Sequence, residues 1–417
     1  MSSPISPLSI VTRPSASSDS LFDWVSAEHP LAFVRDGEGI VGVGEVLRLE
    51  FHGASRFTDA ARAWAEISRT AIIHDSVKRT GTGLVAFGSF AFAESSASTS
   101  VLIVPQFIVG SRDGLHWVTS ITSRSAGGTA TIADDVTQLP RTPRGTGAHV
   151  TFGPGDMTPQ HFTRTVKAAL RRIAAGDAAK VVVARDQVAD LSPDADVRLP
   201  LEALSNRYPD TFTFAVDGLL GSSPETLVKV HHGTVSARVL AGSAARGDDR
   251  VSDGRAAAHL ANSSKDQAEH ALALASVIDA LAPLSRELQA ASEPFTLQLP
   301  NLWHLATDIE GQLTQASTSL DLLDVLHPTA AVAGTPTPAA LRIINELEGF
   351  DRGRYAGPVG WVDAHGDGEW AVALRCAQIA DGRITAYAGA GIVAGSNAKK
   401  ELAETELKFR PIVEAFA

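Results

Sequence analysis

The chain is expected to fold as an α+β protein, and three observations predict this. Helix-patterned and strand-patterned segments follow one another without the regular strand–helix–strand alternation of a parallel sheet. The strand candidates are short and are separated by turn residues. A chain of 417 residues that is 44% hydrophobic and 20% charged has the composition of a globular protein with a sizeable core.

Residues 1–20 are rich in Ser and Pro and read as a flexible tail, with 21–417 as one α+β domain. Residues 31–120 read as short β segments joined by turns. The clearest are 84–87 and 101–104, with the polar turn 95–100 between them. Residues 123–156 are rich in Gly, Thr and Pro and read as a long surface connection rather than a domain linker. A helix is predicted over 158–175, where Phe162, Val166, Leu170 and Ile173 share a face, and Gly176 fits its stop. The β-branched run 180–185 predicts a strand, and further strands are expected at 212–216, 226–230 and 234–239. Helices follow over 266–281 and 338–347, then strands over 359–362, 371–377 and 383–388. A last helix is expected over 398–416, interrupted or kinked at Pro411.

Charge and cysteine content exclude several classes of function. The net charge of −11, with no long basic run, argues against nucleic acid or an anionic membrane as partner. An anionic ligand would have to be held by local positive groups. The single cysteine, Cys376, permits no intrachain disulfide and no cysteine metal cage, and a reducing cytoplasm is the expected location. The N-terminus lacks the apolar stretch of a signal peptide, and no apolar run approaches the eighteen or so residues of a membrane span.

Several residues have chemistry to offer. Glu401, Glu404 and Lys408 fall at i, i+3 and i+7 and share a helical face. Such a face is either a solvated, salt-bridged surface or, with Glu269 from a second helix, an oxygen-only site of the kind Mg²⁺ prefers. Gly389-Ala390-Gly391 after a strand forms either a plain tight turn or a backbone cradle for an anion. Arg375 interrupts an apolar strand. Facing inward it needs an anionic partner, most naturally a carboxylate; facing outward it is an edge residue. Lys180 opens an apolar strand, and Glu225 follows the turn Gly221-Ser222-Ser223-Pro224. Burial would suit the first as a general base and the second as a general acid; solvation would make both ordinary. His304 is either a core histidine or a contact to a ligand hydroxyl.

The order of these blocks decides among the readings. From 158 to the end the chain resembles the catalytic portion of the chorismate-utilising enzymes. The matching blocks are Lys180–Arg185, Gly221–Glu225, Leu240-Ala241-Gly242-Ser243, Ser264-Lys265-Asp266, Glu269-His270, Asn301–Leu305 and His327-Pro328-Thr329-Ala330-Ala331. Tyr355, Gly366–Trp370, Leu374–Ala377, Tyr387–Val393 and Glu401–Lys408 complete the set. The N-terminal third carries no motif of its own. Within the family the chain is most similar to isochorismate synthases, since Ala331 stands where anthranilate and salicylate synthases lead one to expect Thr.

The resemblance implies two large antiparallel sheets packed face to face with helices outside, and N- and C-terminal portions that interweave. It implies chorismate as substrate and Mg²⁺ as cofactor, held by Glu269 and Glu404 with Glu401 near by. It places Gly242, Ser243, Gly389, Ala390 and Gly391 at the ring carboxylate, and Arg375 and Tyr355 at the enolpyruvyl carboxylate. Lys180 becomes the base that activates water and Glu225 the acid that protonates the leaving hydroxyl, with His304, Ala331 and Lys408 lining the substrate. A monomer without a glutaminase subunit is expected, with a product that enters menaquinone or siderophore synthesis. Salicylate synthesis, in which pyruvate is then eliminated, is the alternative.

Overall fold

The computed structural model describes residues 6–16, 19–123, 136, 139, 141, 143–147, 149–314 and 317–417. Half of the expected connection 123–156 therefore lies outside the described residues. Two large sheets dominate, with eight α-helices among the described residues. One sheet has thirteen strands and the other ten.

In the larger sheet, Lys180–Asp190 pairs along its whole length with Arg383–Val393, which leads through Cys376–Ala380, Leu219–Ser223 and Phe212–Val216 to Leu31–Arg35. The smaller sheet passes from Leu302–Leu313 through Thr234–Ala245, Thr226–His231, Gly368–Val372 and Pro358–Asp363 to Val85–Ser89. Strands from the N-terminal third thus extend both sheets. Among the described residues the strand ladders are antiparallel except that of Leu8–Ser15 with Ile72–Asp75, and an isolated parallel bridge joins Thr146 to Ala195.

Both faces of the central strands are covered. Phe33 and Phe214 of the larger sheet share one core with Phe87, Trp361 and Trp370 of the smaller. On the larger sheet's other face, Ala32, Val34 and Ala215 meet Leu201 and Leu204 of the helix Arg198–Arg207 and Phe409 and Ile412 of the helix Ala398–Ala415. This double burial explains why strands such as Leu31–Arg35 and Ser100–Val104 read as unbroken apolar runs. Each fully buried large side chain contributes roughly 1.5–3 kcal/mol.

The structure corrects five expectations. The tail 1–20 contains the strand Leu8–Ser15, whose alternate residues Leu8, Ile10 and Thr12 are buried against Leu115–Ser123. Residues 31–120 include the helix Arg56–Thr70, which buries Phe57, Ala60, Trp64 and Ile67 on one face. The expected strand 371–377 is broken at 373–375, where Arg375 has φ 48°. Gly389-Ala390-Gly391 is not a turn but the interior of Arg383–Val393. Finally, the last helix runs on through Pro411. A proline there leaves the carbonyl four residues back without its helical donor. That carbonyl, on Leu407, accepts instead from Asn301 Nδ2 at 2.7 Å.

Candidate active site

The chain crosses between the sheets at two neighbouring points. Leu219–Ser223 belongs to the larger sheet and Thr226–His231 to the smaller, with Pro224 and Glu225 between them. Gly368–Val372 belongs to the smaller sheet and Cys376–Ala380 to the larger, with Ala373, Leu374 and Arg375 between. Backbone bonds lace the crossings together: Val372 N donates to Glu225 O at 3.1 Å and Ser222 N to Arg375 O at 3.1 Å. Ser223 Oγ adds a bond to Val372 O at 2.6 Å. The left-handed backbone of Arg375 is held in place by this pairing, and Glu225 and Arg375 are delivered to one spot.

That spot opens into a cavity with about 510 Å³ of empty space. It is lined by Glu225, Gly242, Ser243, Glu269, His304, Ala331, Tyr355, Arg375, Gly389, Gly391 and Lys408, with Val182, Leu240, Ala241, Val332 and Leu374. Larger concavities of about 1110 and 1460 Å³ are more open to solvent and hold none of these groups.

Glu225 is buried, and burial raises its pKa to about 8 although Lys180, Arg375 and Lys408 pull the other way. A carboxyl with such a pKa carries its proton at neutral pH and can donate it. Burial lowers the pKa of Arg375, opposed by Tyr355, Glu225 and Glu404, but a guanidinium remains charged throughout.

Arg375 Nη2 lies 2.7 Å from His304 Nε2. A guanidinium can only donate, so Nε2 must accept and the imidazole proton must be on Nδ1. Nδ1 faces Gly242 O at 3.2 Å and Ser243 Oγ at 3.1 Å, which fits that tautomer. Burial, reinforced by Arg375 and Lys408, holds the His304 pKa well below its ordinary value, so the ring is neutral. His304 therefore orients Arg375 rather than offering Nε2 to a ligand. Gly242 has φ 82° at a register shift in Thr234–Ala245, a bulge that turns Ser243 toward the cavity.

Lys180, Val182, Gly389 and Gly391 share one face of their strand pair, because Val182 is opposite Gly391 and Ala184 opposite Gly389. Ala390 lies on the other face and does not line the cavity. The glycines are there for close approach. A Cβ on Gly391 would stand 2.1 Å from Glu269 Oε1 and 2.9 Å from Lys180 Cε, and one on Gly389 2.9 Å from the Tyr355 hydroxyl. Lys180 is fully buried, with Nζ 3.1 Å from Glu269 Oε1 as an ion pair but with no well-directed hydrogen bond. The buried pair Arg352–Glu348 steadies this strand: Arg352 donates to Val182 O and Val332 O at 2.9 Å each, and Glu348 accepts from Ala184 N at 2.7 Å.

Two helices bring the other carboxylates. Ser264–Leu281, capped by Ser263, carries Glu269. Ala398–Ala415, capped by Asn397, carries Glu401 and Glu404. Each carboxylate rests on a lysine: Glu269 on Lys180, Glu401 on Lys265 at 2.8 Å, and Glu404 on Lys408 at 2.6 Å. Lys408 also donates to Gly389 O at 3.0 Å. Burial raises the pKa of Glu401, helped by the Glu404 charge and opposed by Lys265. For Glu404 burial is outweighed by Lys408, Lys265 and Ser243, and its pKa falls. The donor chemistry suits a hard divalent cation, with three carboxylates from two helices and no nitrogen or sulfur ligand, though among the described residues their oxygens do not all lie within 4.8 Å of one another. An ion there would take over carboxylates now neutralised by ammonium groups.

Sequence reasoning passed over Lys265. Its ammonium group is stabilised by Glu401, Glu269 and Glu404 together. The signal was available, since Lys265 precedes Glu269 by one helical turn. Nothing in the sequence showed that Lys180 and Glu269 would meet, because that contact joins a strand to a helix that begins more than eighty residues later. No helix among the described residues is long and apolar enough to cross a membrane.

The chain is similar to known proteins in sequence and in fold. Isochorismate synthase DhbC of Bacillus subtilis (strain 168) is 40% identical over 269 residues, which is 62% of this chain and 68% of that protein. Isochorismate synthase EntC of Escherichia coli (strain K12) is 39% identical over 262 residues, 61% of this chain and 66% of that protein. The matched stretches thus span about two thirds of each relative. The structure of MenF, the menaquinone-specific isochorismate synthase from Escherichia coli, superposes with a TM-score of 0.80 over 99% of this chain and 95% of that one at 23% identity, which speaks for the fold. Residues 5–417 match the family described as chorismate binding enzyme, and the chain belongs to that family.

Proposed function

We propose that this protein interconverts chorismate and isochorismate, adding water at C2 of the ring and expelling the C4 hydroxyl. The observation that carries the reading is Glu225: a buried carboxyl with a pKa of about 8, in the same cavity as a guanidinium and an ammonium group.

The reaction needs four things from the protein. A dianionic substrate needs positive partners, and Arg375, with Lys408 beside it, supplies them in a chain of net charge −11. His304 and the crossing backbone hold that guanidinium in place, so orientation costs little at the moment of reaction. Water needs a proton acceptor, and that role falls to Lys180 Nζ, buried against the cavity-lining Glu269 at 3.1 Å. Hydroxide is a poor leaving group, and Glu225 provides the proton that makes it water. Acid and base catalysis contribute about 10²–10⁴-fold each. Atoms balance: one water enters at C2, one leaves from C4, and the two side chains regain their starting states by exchanging a proton with solvent. Bound Mg²⁺, on Glu269 and Glu404 with Glu401 near by, would neutralise and orient a substrate carboxylate. Ala331 presents only a methyl group to the cavity, which fits a reaction that stops at isochorismate.

Incubation of the pure protein with chorismate and Mg²⁺, with chromatography of the products and an EDTA control, tests this. Isochorismate alone, lost on chelation, is expected. Salicylate with pyruvate would overturn the product assignment while keeping the family. No conversion would overturn the enzymatic reading.

A further inference from the structure

At the far end of the strand that begins beside Glu225 lies a second cluster with ligand character. The hairpin joining Thr226–His231 to Thr234–Ala245 turns on His232 and Gly233, at φ 49° and 80°. Two positive φ values in succession mark a type I′ turn, whose first central position usually holds Asn, Asp or Gly. Here it holds a histidine directly after another histidine, and both rings face Asp367 in the neighbouring 363–368 turn.

We propose that His231, His232 and Asp367 form a binding site for a divalent transition-metal ion of the zinc type. Their donor atoms all lie within 4.8 Å of one another. His231 Nδ1 is 3.5 Å and His232 Nδ1 3.4 Å from Asp367 Oδ2. These separations are too long for good hydrogen bonds. They match the ligand–ligand edge of about 3.3–3.4 Å that follows from Zn–N and Zn–O bonds of about 2.0–2.1 Å in a tetrahedron.

Asp367 is buried and already oriented, as a ligating carboxylate should be. Both its oxygens accept from His232 N at 3.0 Å, and its own N–H donates to Asp363 Oδ1 at 3.0 Å. The histidines are partly or fully exposed, so an ion can enter, and the concavity leaves space for water as a fourth ligand. A competing contact is weak: Thr80 Oγ1 lies 3.4 Å from His231 Nδ1. Two imidazoles with one carboxylate select zinc, nickel or copper over Mg²⁺. The strand Thr226–His231 has six residues, so at about 3.3 Å each this site lies roughly 20 Å from Glu225. It is therefore distinct from the carboxylate cluster of Glu269, Glu401 and Glu404.

The test is a titration of chelator-stripped protein with Co²⁺, read as visible absorption, followed by displacement with Zn²⁺ in a calorimeter. The variant H231Q/H232N removes both imidazoles and keeps a residue that tolerates the left-handed turn; cooperative unfolding without metal confirms that it folds. We expect one Co²⁺ per chain with a tetrahedral spectrum, displaced by Zn²⁺, and a rise in Tm with Zn²⁺. Affinity should fall at least tenfold in H231Q/H232N and persist in E269Q/E404Q. No uptake by the unaltered protein, or equal uptake by H231Q/H232N, would overturn the proposal.

Discussion

The cavity is built from two regions that hold their charged groups in opposite ways. Where the chain crosses between the sheets, Glu225 and Arg375 are placed by backbone hydrogen bonds, and the carboxyl is kept neutral by burial. Glu269, which lines the cavity, and Glu401 and Glu404 stand on two helices, and each is met by a lysine. The first region is preorganised, and a substitution there changes the chemistry. The second is a set of exchangeable ion pairs, and a substitution there first changes which cation meets which carboxylate.

The largest effect should come from the crossing. Glu225→Gln keeps the shape and removes the acidic proton. Turnover should fall by about 10²–10⁴-fold while chorismate binding, followed by calorimetry, is kept. A variant with normal kcat would remove Glu225 from the mechanism. Next comes Arg375→Lys, which keeps the charge but loses the planar fork and the bond to His304. Losing a charge-assisted hydrogen bond costs about 1.5–3 kcal/mol, or about 10–150-fold in kcat/KM. An unchanged KM and kcat would place the substrate carboxylate elsewhere.

Gly391→Ala probes the other region. Its methyl group meets the ends of flexible side chains, Glu269 Oε1 and Lys180 Cε, so those groups can shift. Stability should fall by about 1–3 kcal/mol in denaturant titration, and turnover by more than that loss explains. Ala390→Gly, on the opposite face, should affect stability alone. Equal kinetic effects of the two would contradict the assignment of faces.

The smallest effect is thermodynamic. Glu225 has its folded pKa raised from 4.5 to about 8. Between those values the folded state holds a proton that the unfolded state has lost, so its contribution to stability declines as pH rises through that window and levels off above it. In Glu225→Gln this decline should vanish, and the Tm of the variant should gain on that of the parent between pH 4.5 and 8. Parallel Tm curves would mean that Glu225 ionises freely.

The two regions were not equally legible in the sequence. The helix carboxylates announced themselves through spacing, since Glu401, Glu404 and Lys408 lie on one face by periodicity alone. The crossing did not. A broken strand at 373–375 looks apolar and continuous, and its interruption is imposed by pairing with Pro224-Glu225, about 150 residues away. The glycines at 389 and 391 were visible, but the reason for them was not. Gly-Ala-Gly commonly signals a turn, and only the contact with Glu269 and Lys180 shows that it keeps a strand bare. Strands with both faces buried could be placed to within a few residues, because unbroken apolar runs leave little ambiguity. The helix Arg56–Thr70 was missed although its apolar stripe is regular and Ser55 stands at its N-cap, where the hydroxyl bonds Asp59 rather than the backbone.

The central claim is that Glu225 carries a proton at neutral pH in a cavity that also holds Arg375 and Lys408. Infrared difference spectroscopy of the protein, with Glu225→Gln as reference, measures this directly. The account predicts a protonated-carboxyl band at pH 7 that belongs to Glu225 and disappears as pH rises through about 8. A spectrum at pH 7 with only the ionised carboxylate signal for this residue would contradict it.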